Sequence, residues 1–510
     1  MTSSFTLLDL VVLIIYFVGT TLFGLWLGRS QKDARDYFVG GHKLPWWAVL
    51  FSVVATETSA LTFISIPGLA YLGDLGFLQI AAGYILGRIV VSFTLLPRYY
   101  QGELVTAYAL LERRFGLATR RFTSIVFMAT RAFGDSVRVF ATAIPVALII
   151  GPVMPAQYVG PVSILLLGAF TVIYTYHGGM RAVVWTDFVQ TIVYLIGGVA
   201  AVILIGQGVD GGWGAILQRV GGEGKLSAIS FSTAIDQPHT IWAGLIGGGF
   251  LSMASHGADQ LIVQRLMSSG RLQDARKALI GSGFVVFAQF ALFLFIGLGL
   301  YVFYDARTFA RPDEIFPRFI VEVMPPGLTG LVVAAILAAA MSTLSGSLNS
   351  LAAATTHDIY LPVTKRDPDS PAVLRVGKLL TMVWAVVLIG GALLYRSEGT
   401  PVVVIALSIA SFTYGGLLGG FFLAMLWRRA VQRDAIFGMS VGIATMSLVV
   451  FARPLAATFP SMAGWLAPLG RVAWPWYVLI GTTITVTAGI LSSLSHPSPV
   501  APAPESSRRD

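Results

Sequence analysis

Apolar runs of near-membrane length recur from one end of this sequence to the other, and they leave it few ways to fold. About thirteen of them approach the roughly 20 residues that a helix needs to cross a bilayer. They lie near 6–28, 45–72, 76–98, 122–151, 157–177, 183–206, 240–264, 278–304, 328–356, 376–395, 401–427, 434–452 and 474–493. In lipid every backbone polar group must be satisfied internally, so only helices or a closed barrel can span. The alternating pattern of barrel strands is missing. An all-α polytopic membrane protein is therefore expected. Composition agrees: charged residues are 12% of the 510, against about 25% in soluble domains. The first run lacks a basic leader and a small-residue cleavage pattern, so it reads as a span and not as a signal peptide.

The chain has no cysteine, which excludes disulfides and thiolate metal sites. Its net charge of +9 is spread over short loops between apolar runs, where orientation signals belong, so nucleic acid is not an expected partner. One alternate set of loops carries Arg29, Lys32, Arg35 and Lys43, then Arg113, Arg114, Arg120 and Arg121. It continues with Arg265, Arg271, Arg276 and Lys277, then Lys365 and Arg366, then Arg428, Arg429 and Arg433. With this set in the cytoplasm, the N-terminus lies outside and the C-terminus inside. Arg307, Arg311 and Arg318 are an exception, partly offset by Asp305, Asp313 and Glu314.

Two spans are interrupted by polar or glycine-rich sequence: "SVVATETSALTF" at 52–63 and "IGGGFLSMASHGADQ" at 246–260. Each opens a set of five spans. Five is odd, so the two sets have opposite topology, and interrupted spans at matching places point to a central binding site. The division expected is an N-terminal helix and loop (1–44), a first repeat (45–206), an outer loop (207–239), a second repeat (240–427), two further helices (428–495) and a disordered Pro/Ser-rich tail (496–510).

Four constellations carry candidate chemistry. Ala55, Thr58, Ser59 and Thr62 share one helix face at i, i+3, i+4 and i+7, and hard cations take several oxygen ligands. Glu57 lies roughly opposite that face and needs a cationic partner. In "AAAMSTLSGSLNS", Ser342 and Thr343 follow Ala339 by three and four residues and Ser345 adds a hydroxyl; the bland alternative is bonding back to the i−4 carbonyl. Asp187, near the start of the sixth span, is either an intramembrane functional carboxylate or a helix cap. In "TRAFGDSVRVF", Arg131, Asp135 and Arg138 can pair at i+4 and i+3; two arginines against one aspartate leave a positive excess, and a guanidinium suits a carboxylate. Ser252, in the second interruption, is a further solute-facing candidate, and His256 is assigned no role.

Jointly, "DYFVGGHKLPWWAVLFSVVATETSALTFISIPG", "YHGGMRAVVWTDFVQ", "DQLIVQR" and "GLVVAAILAAAMSTLSGSLNSLAAATTHDIY" resemble the sodium/solute symporters over about residues 6–430. That resemblance implies a LeuT-type core of ten helices in a 5+5 inverted repeat, driven by Na⁺. It implies a sodium held by backbone carbonyls of Ala55, Thr58 and Ala339 and by the hydroxyls of Ser342 and Thr343. It also implies, for some members, a second sodium at positions matching Asp187, Ser342 and Ser345, with Gly346 where another serine is expected. The first core helix is nearest to bacterial sialic acid transporters of the family, whose pocket residues match Ser59 and Thr62 and whose arginine on the third core helix is best matched by Arg138. The family's topology also implies Arg138 and Arg131 as the nearest cations to Glu57, in a charge network of Glu57, Arg131 and Asp135. A glutamine of those transporters corresponds to Ala81 here. Sugar carriers of the family have a glutamine at Thr62 and a gate tyrosine at Ser255, so a close glucose or galactose carrier is disfavoured. The expectation is Na⁺-coupled symport of a small organic solute across a cell membrane, with a carboxylate such as a sialic acid as one reading and a neutral sugar, polyol or amino acid as the other. No obligate protein partner is evident. An enzyme is not expected, for want of a reactive constellation, and a transporter-like sensor would need an attached signalling domain.

Overall fold

A computed structural model of the chain describes residues 5–27, 34–58, 60–101, 104–151, 154–395 and 402–497. Ser59, Arg29, Lys32 and residues 498–510 of the expected tail lie outside them. Among the described residues the chain is helical, with one isolated β-bridge between Leu44 and Ser269. The principal helices are α1 (Leu7–Leu27), α2 (Trp46–Glu57), α3 (Ala60–Leu72), α4 (Phe77–Phe93), α5 (Leu117–Ile150), α6 (Ala156–Gly208) and α7 (Gly249–Gly257). They continue as α8 (Gln260–Met267), α9 (Leu272–Phe303), α10 (Leu328–Ala354), α11 (Pro371–Leu394), α12 (Val402–Leu426), α13 (Gln432–Val450) and α14 (Trp476–Leu494). Among the described residues seven helices are long and apolar enough to cross a membrane, and eight if the bent pair α2–α3 counts as one span.

Both interrupted spans are broken. Between α2 and α3 the axis turns by 59°, and Thr58, with φ −81° and ψ 76°, leaves helical geometry after one last backbone bond to the Val54 carbonyl. The second break separates α7 from α8. There Asp259 is extended (φ −92°, ψ 125°), and its side chain accepts the Leu261 backbone N–H as an N-cap. A π-helical turn, Ala243–Gly248, leads into α7. Helix α6 joins two expected spans through Gly179, whose φ of 53° and ψ of −160° mark a bend that only glycine adopts readily.

Glycines set how closely the helices approach. A Cβ on Gly83 would lie 2.0 Å from the Gly244 carbonyl oxygen, and one on Gly87 would lie 2.3 Å from that of Gly249. Helix α4 and the entry to α7 therefore touch backbone to backbone, the arrangement that small residues permit in lipid. Helix α10 packs on α6, α5 and α2, and almost every residue from Thr329 to Ala354 is buried. It is the central element, and the hydroxyl-rich run sits on it. The outer segment anticipated at 207–239 lies over the ends of α3 and α4: Lys225 Nζ donates to the carbonyls of Tyr71 (2.9 Å) and Gly73 (2.8 Å).

Candidate functional site

Ala55 and Thr58 at the first break face Ala339 of α10 across a small cavity, which is completed by Gln190, Thr191 and Tyr194 of α6. The break has a chemical consequence. Once the helix ends at Glu57, the last carbonyls of α2 lose their intrahelical partners, and irregular backbone survives at membrane depth only where it lines such a cavity. The Thr343 hydroxyl donates (3.1 Å) to the carbonyl of Ala339, a residue of the cavity wall, and keeps a lone pair of its own. Both polar atoms of the Gln190 side chain are buried without a hydrogen-bond partner. Thr58 and Gln289 exchange hydrogen bonds of 2.9 and 2.6 Å, and Gln289 also donates to the Tyr194 hydroxyl (2.9 Å). Carbonyls, an amide oxygen and hydroxyls around a small space are the donor set that a hard monovalent cation takes.

Ser342, expected beside Thr343, faces the other way. Its hydroxyl donates to Asp187 Oδ1, while Asp187 Oδ2 accepts from Ser52 (2.5 Å) and from Arg265 Nη2 (3.4 Å). The Ser345 hydroxyl bonds back to the Ser342 carbonyl at 3.0 Å. Asp187 thus meets Ser342, Ser52 and the Arg265 guanidinium where a second sodium was expected. Arg265 itself corrects the orientation argument: counted as a loop charge, it is fully buried in "DQLIVQR". The same motif docks α8 through Gln260, which accepts the Ala107 N–H (2.7 Å), and Gln264, which donates to the Phe38 carbonyl (2.6 Å) and to Asn349 (2.7 Å).

The expected network of Glu57, Arg131 and Asp135 divides in two. Glu57 is paired not with Arg131 or Arg138 but with Arg88 of α4, and His256 Nε2 lies 3.6 Å from the same carboxylate. Arg88 is wholly buried and also donates to Ser282 (2.7 Å). The sequence signal for it was a lone arginine in an apolar span. In the other group, Asp135 accepts from Arg131 (3.4 Å), Arg138 (3.1 Å) and Ser347 (2.5 Å). Asp259, the N-cap of α8, takes Arg131 (2.5 Å) and Tyr414 (2.6 Å) on its second oxygen. The positive excess expected on α5 is therefore balanced by a carboxylate from a different helix. Arg138 uses Nη1 for Asp135 and is the most open member of the group, with 19% of its side chain exposed.

Of the solute-facing candidates, Thr62 is buried on α3, which touches α5, the helix of Arg138. Ser252 is a correction: its hydroxyl donates to the Tyr84 carbonyl (3.0 Å). It is pressed onto α4 because a Cβ on Gly87 would come within 2.7 Å of the Ser252 Cβ. The glycine-rich approach of α7 to α4 sets this serine against the backbone of its neighbour, where its hydroxyl proton is already used.

Comparison with known proteins gives one consistent picture. The model of the sodium:solute symporter family matches residues 37–442. The sodium/sialic acid symporter NanT of Aliivibrio fischeri is 32% identical over 501 residues, covering 96% of this chain and 94% of its own. A solved structure of a Na⁺-coupled sialic acid symporter in a substrate-bound, outward-open state superposes with a TM-score of 0.83 at 29% identity, covering 97% of this chain and 99% of that one. The structure of Mhp1, a nucleobase-cation-symport-1 family transporter, superposes with a TM-score of 0.54 at 13% identity over 92% of this chain and 95% of that one, a likeness of fold alone.

Proposed function

The chain belongs to the sodium:solute symporter family, and from that premise we propose which residues hold its ion and what kind of solute it carries. Its fold is LeuT-type, its coupling ion is Na⁺, and it is a multi-pass membrane protein that works by Na⁺-coupled symport. The observation that carries the assignment of the ion is the cavity between the first break and α10, lined by Ala55, Thr58 and Ala339. The carbonyls of these three residues and the Thr343 hydroxyl bind the sodium. Bridging α2 to α10, the ion favours the state in which these helices are together, and its departure frees them to part. Ser342 supports this site from behind through Asp187 and is not itself a ligand.

The solute is a small carboxylate of the sialic acid class. Arg138 binds its carboxylate with the guanidinium nitrogens that Asp135 leaves open, and Ser59 and Thr62 bind its hydroxyls. The exposure of Arg138 and the likeness to sialic acid symporters support this. The balance of Arg131 and Arg138 by Asp135 and Asp259 favours the second reading, a neutral solute above a closed charge network. The Lys and Arg bias of alternate loops supports an outside N-terminus and a cytoplasmic C-terminus. The chain does this work as a carrier, without a chemical step.

Uptake of radiolabelled N-acetylneuraminate into proteoliposomes tests the solute. An inward Na⁺ gradient should drive accumulation. Arg138→Lys keeps the charge but loses the planar fork, so half-saturation should rise at least tenfold while Na⁺ still raises the thermal midpoint. Unchanged half-saturation in the variant, or no uptake by the parent protein, rejects the carboxylate reading.

A further inference from the structure

The position at which a second sodium was expected already holds a cation. Arg265 is fully buried, always charged, and faces Asp187 from α8. Its Nε donates to Ser52 Oγ (3.0 Å), which in turn donates to Asp187, and its Nη1 donates to the Leu261 carbonyl (2.9 Å). The guanidinium also explains Gly346. A Cβ there would lie 2.3 Å from Nη2, 3.0 Å from Nη1 and 3.1 Å from Cζ. The group lies across the face of α10 where a serine would have to stand. A serine side chain at this position would have to push the guanidinium aside.

We propose that Arg265 is a tethered replacement for a second sodium, so that this symporter binds one Na⁺ per chain. The inference rests on the reading of the first site given above. A buried carboxylate must be compensated. Here the compensation arrives on a side chain that never leaves the protein and costs nothing to rebind in each cycle. A sodium brought to Asp187 would face a guanidinium charge within the same dry cluster. It would find Ser342 and Ser52 already committed to the carboxylate, Ser345 bonded to its own helix, and no side-chain oxygen at residue 346. Arg265 also ties α8, the second half of a broken helix, to α6 and α2, the role that a bridging ion would otherwise play.

Counting bound ions on the purified full-length chain tests this without a solute. With ²²Na⁺ raised to saturation in a scintillation-proximity binding assay, the expected count is one ion per chain. A count of two overturns the proposal and leaves the first site standing. A count of zero removes the sodium-site reading and this inference with it. The Arg265→Gln, Gly346→Ser double variant removes the tethered charge and supplies the missing oxygen, and it should bind two ions. If it folds and still binds one, Arg265 was not what kept the second ion out. If it does not fold, the count on the parent protein decides.

Discussion

Thr343 and Ser342 are neighbours with separable jobs, because they point to different sides of α10. Thr343→Ala removes the hydroxyl bonded to the Ala339 carbonyl, a proposed sodium ligand, and breaks no hydrogen bond to a charged group. It should raise the Na⁺ concentration for half-maximal thermal stabilisation about tenfold, or about 1.4 kcal/mol of ion binding, with the Na⁺-free midpoint little changed. Ser342→Ala takes a hydrogen bond from a buried carboxylate, worth about 1.5–3 kcal/mol, so its loss should already appear in Na⁺-free buffer. Matching behaviour of the two variants in a melting series across Na⁺ concentrations would count against the division. Glu57 and Arg88 allow a similar contrast. Glu57→Gln leaves the Arg88 charge buried and uncompensated, a loss of about 3–5 kcal/mol. Removing both charges, as Glu57→Gln with Arg88→Met, should recover much of that stability. A double variant no more stable than the single one would show that the pair is not the source of the effect.

At the scale of elements, the two breaks are made differently. The first ends α2 without a side-chain cap at Thr58, and the second starts α8 on the side chain of Asp259. The carboxylate of Asp259 therefore has two duties, since one oxygen caps α8 and the other receives Arg131 from α5 and Tyr414 from α12. The approach of α4 to α7 is fixed by glycine. Gly87→Ala would press a methyl group to within 2.3 Å of the Gly249 carbonyl oxygen and 2.7 Å of the Ser252 Cβ. Backbone cannot yield as a flexible side chain does, so the cost should fall at about 1–3 kcal/mol, read as a lower melting midpoint in detergent. Gly151, which has open space around its Cβ position, is the control: Gly151→Ala should leave the midpoint unchanged.

For the whole molecule, the central consequence is that ion and solute share one scaffold. The cavity lies between a broken helix and the buried α10, so on the proposed reading Na⁺ bound there would bridge the two helices and its departure would free them to part. Replacing external Na⁺ by K⁺ at constant ionic strength should abolish concentrative uptake, because carbonyls fixed around a small cavity suit the smaller ion. Equal accumulation in both salts would contradict the coupling. A pre-imposed Na⁺ gradient with no solute gradient should be enough to start uptake in proteoliposomes, and its collapse by a sodium ionophore should stop it.

The sequence by itself determined the class of the molecule, because hydrophobic length and the absence of water in the bilayer leave helices as the only solution. It also located both breaks, since hydroxyls and stacked glycines inside apolar runs have few other uses. Local spacing was enough to bring Ala55 and Thr58 to one cavity and to place Thr343 one turn from Ala339. What tertiary structure alone decided was partnership. Nothing in the spacing of α5 announces that Asp259, more than a hundred residues later, balances Arg131, or that Glu57 closes on Arg88. Arg265 looked like a loop charge because its neighbours Arg271 and Arg276 follow closely in the chain, yet the short helix α8 folds it inward to Asp187. Pairing of buried charges acts over a few ångströms of space and is indifferent to distance along the chain, so only the packed bundle fixes it.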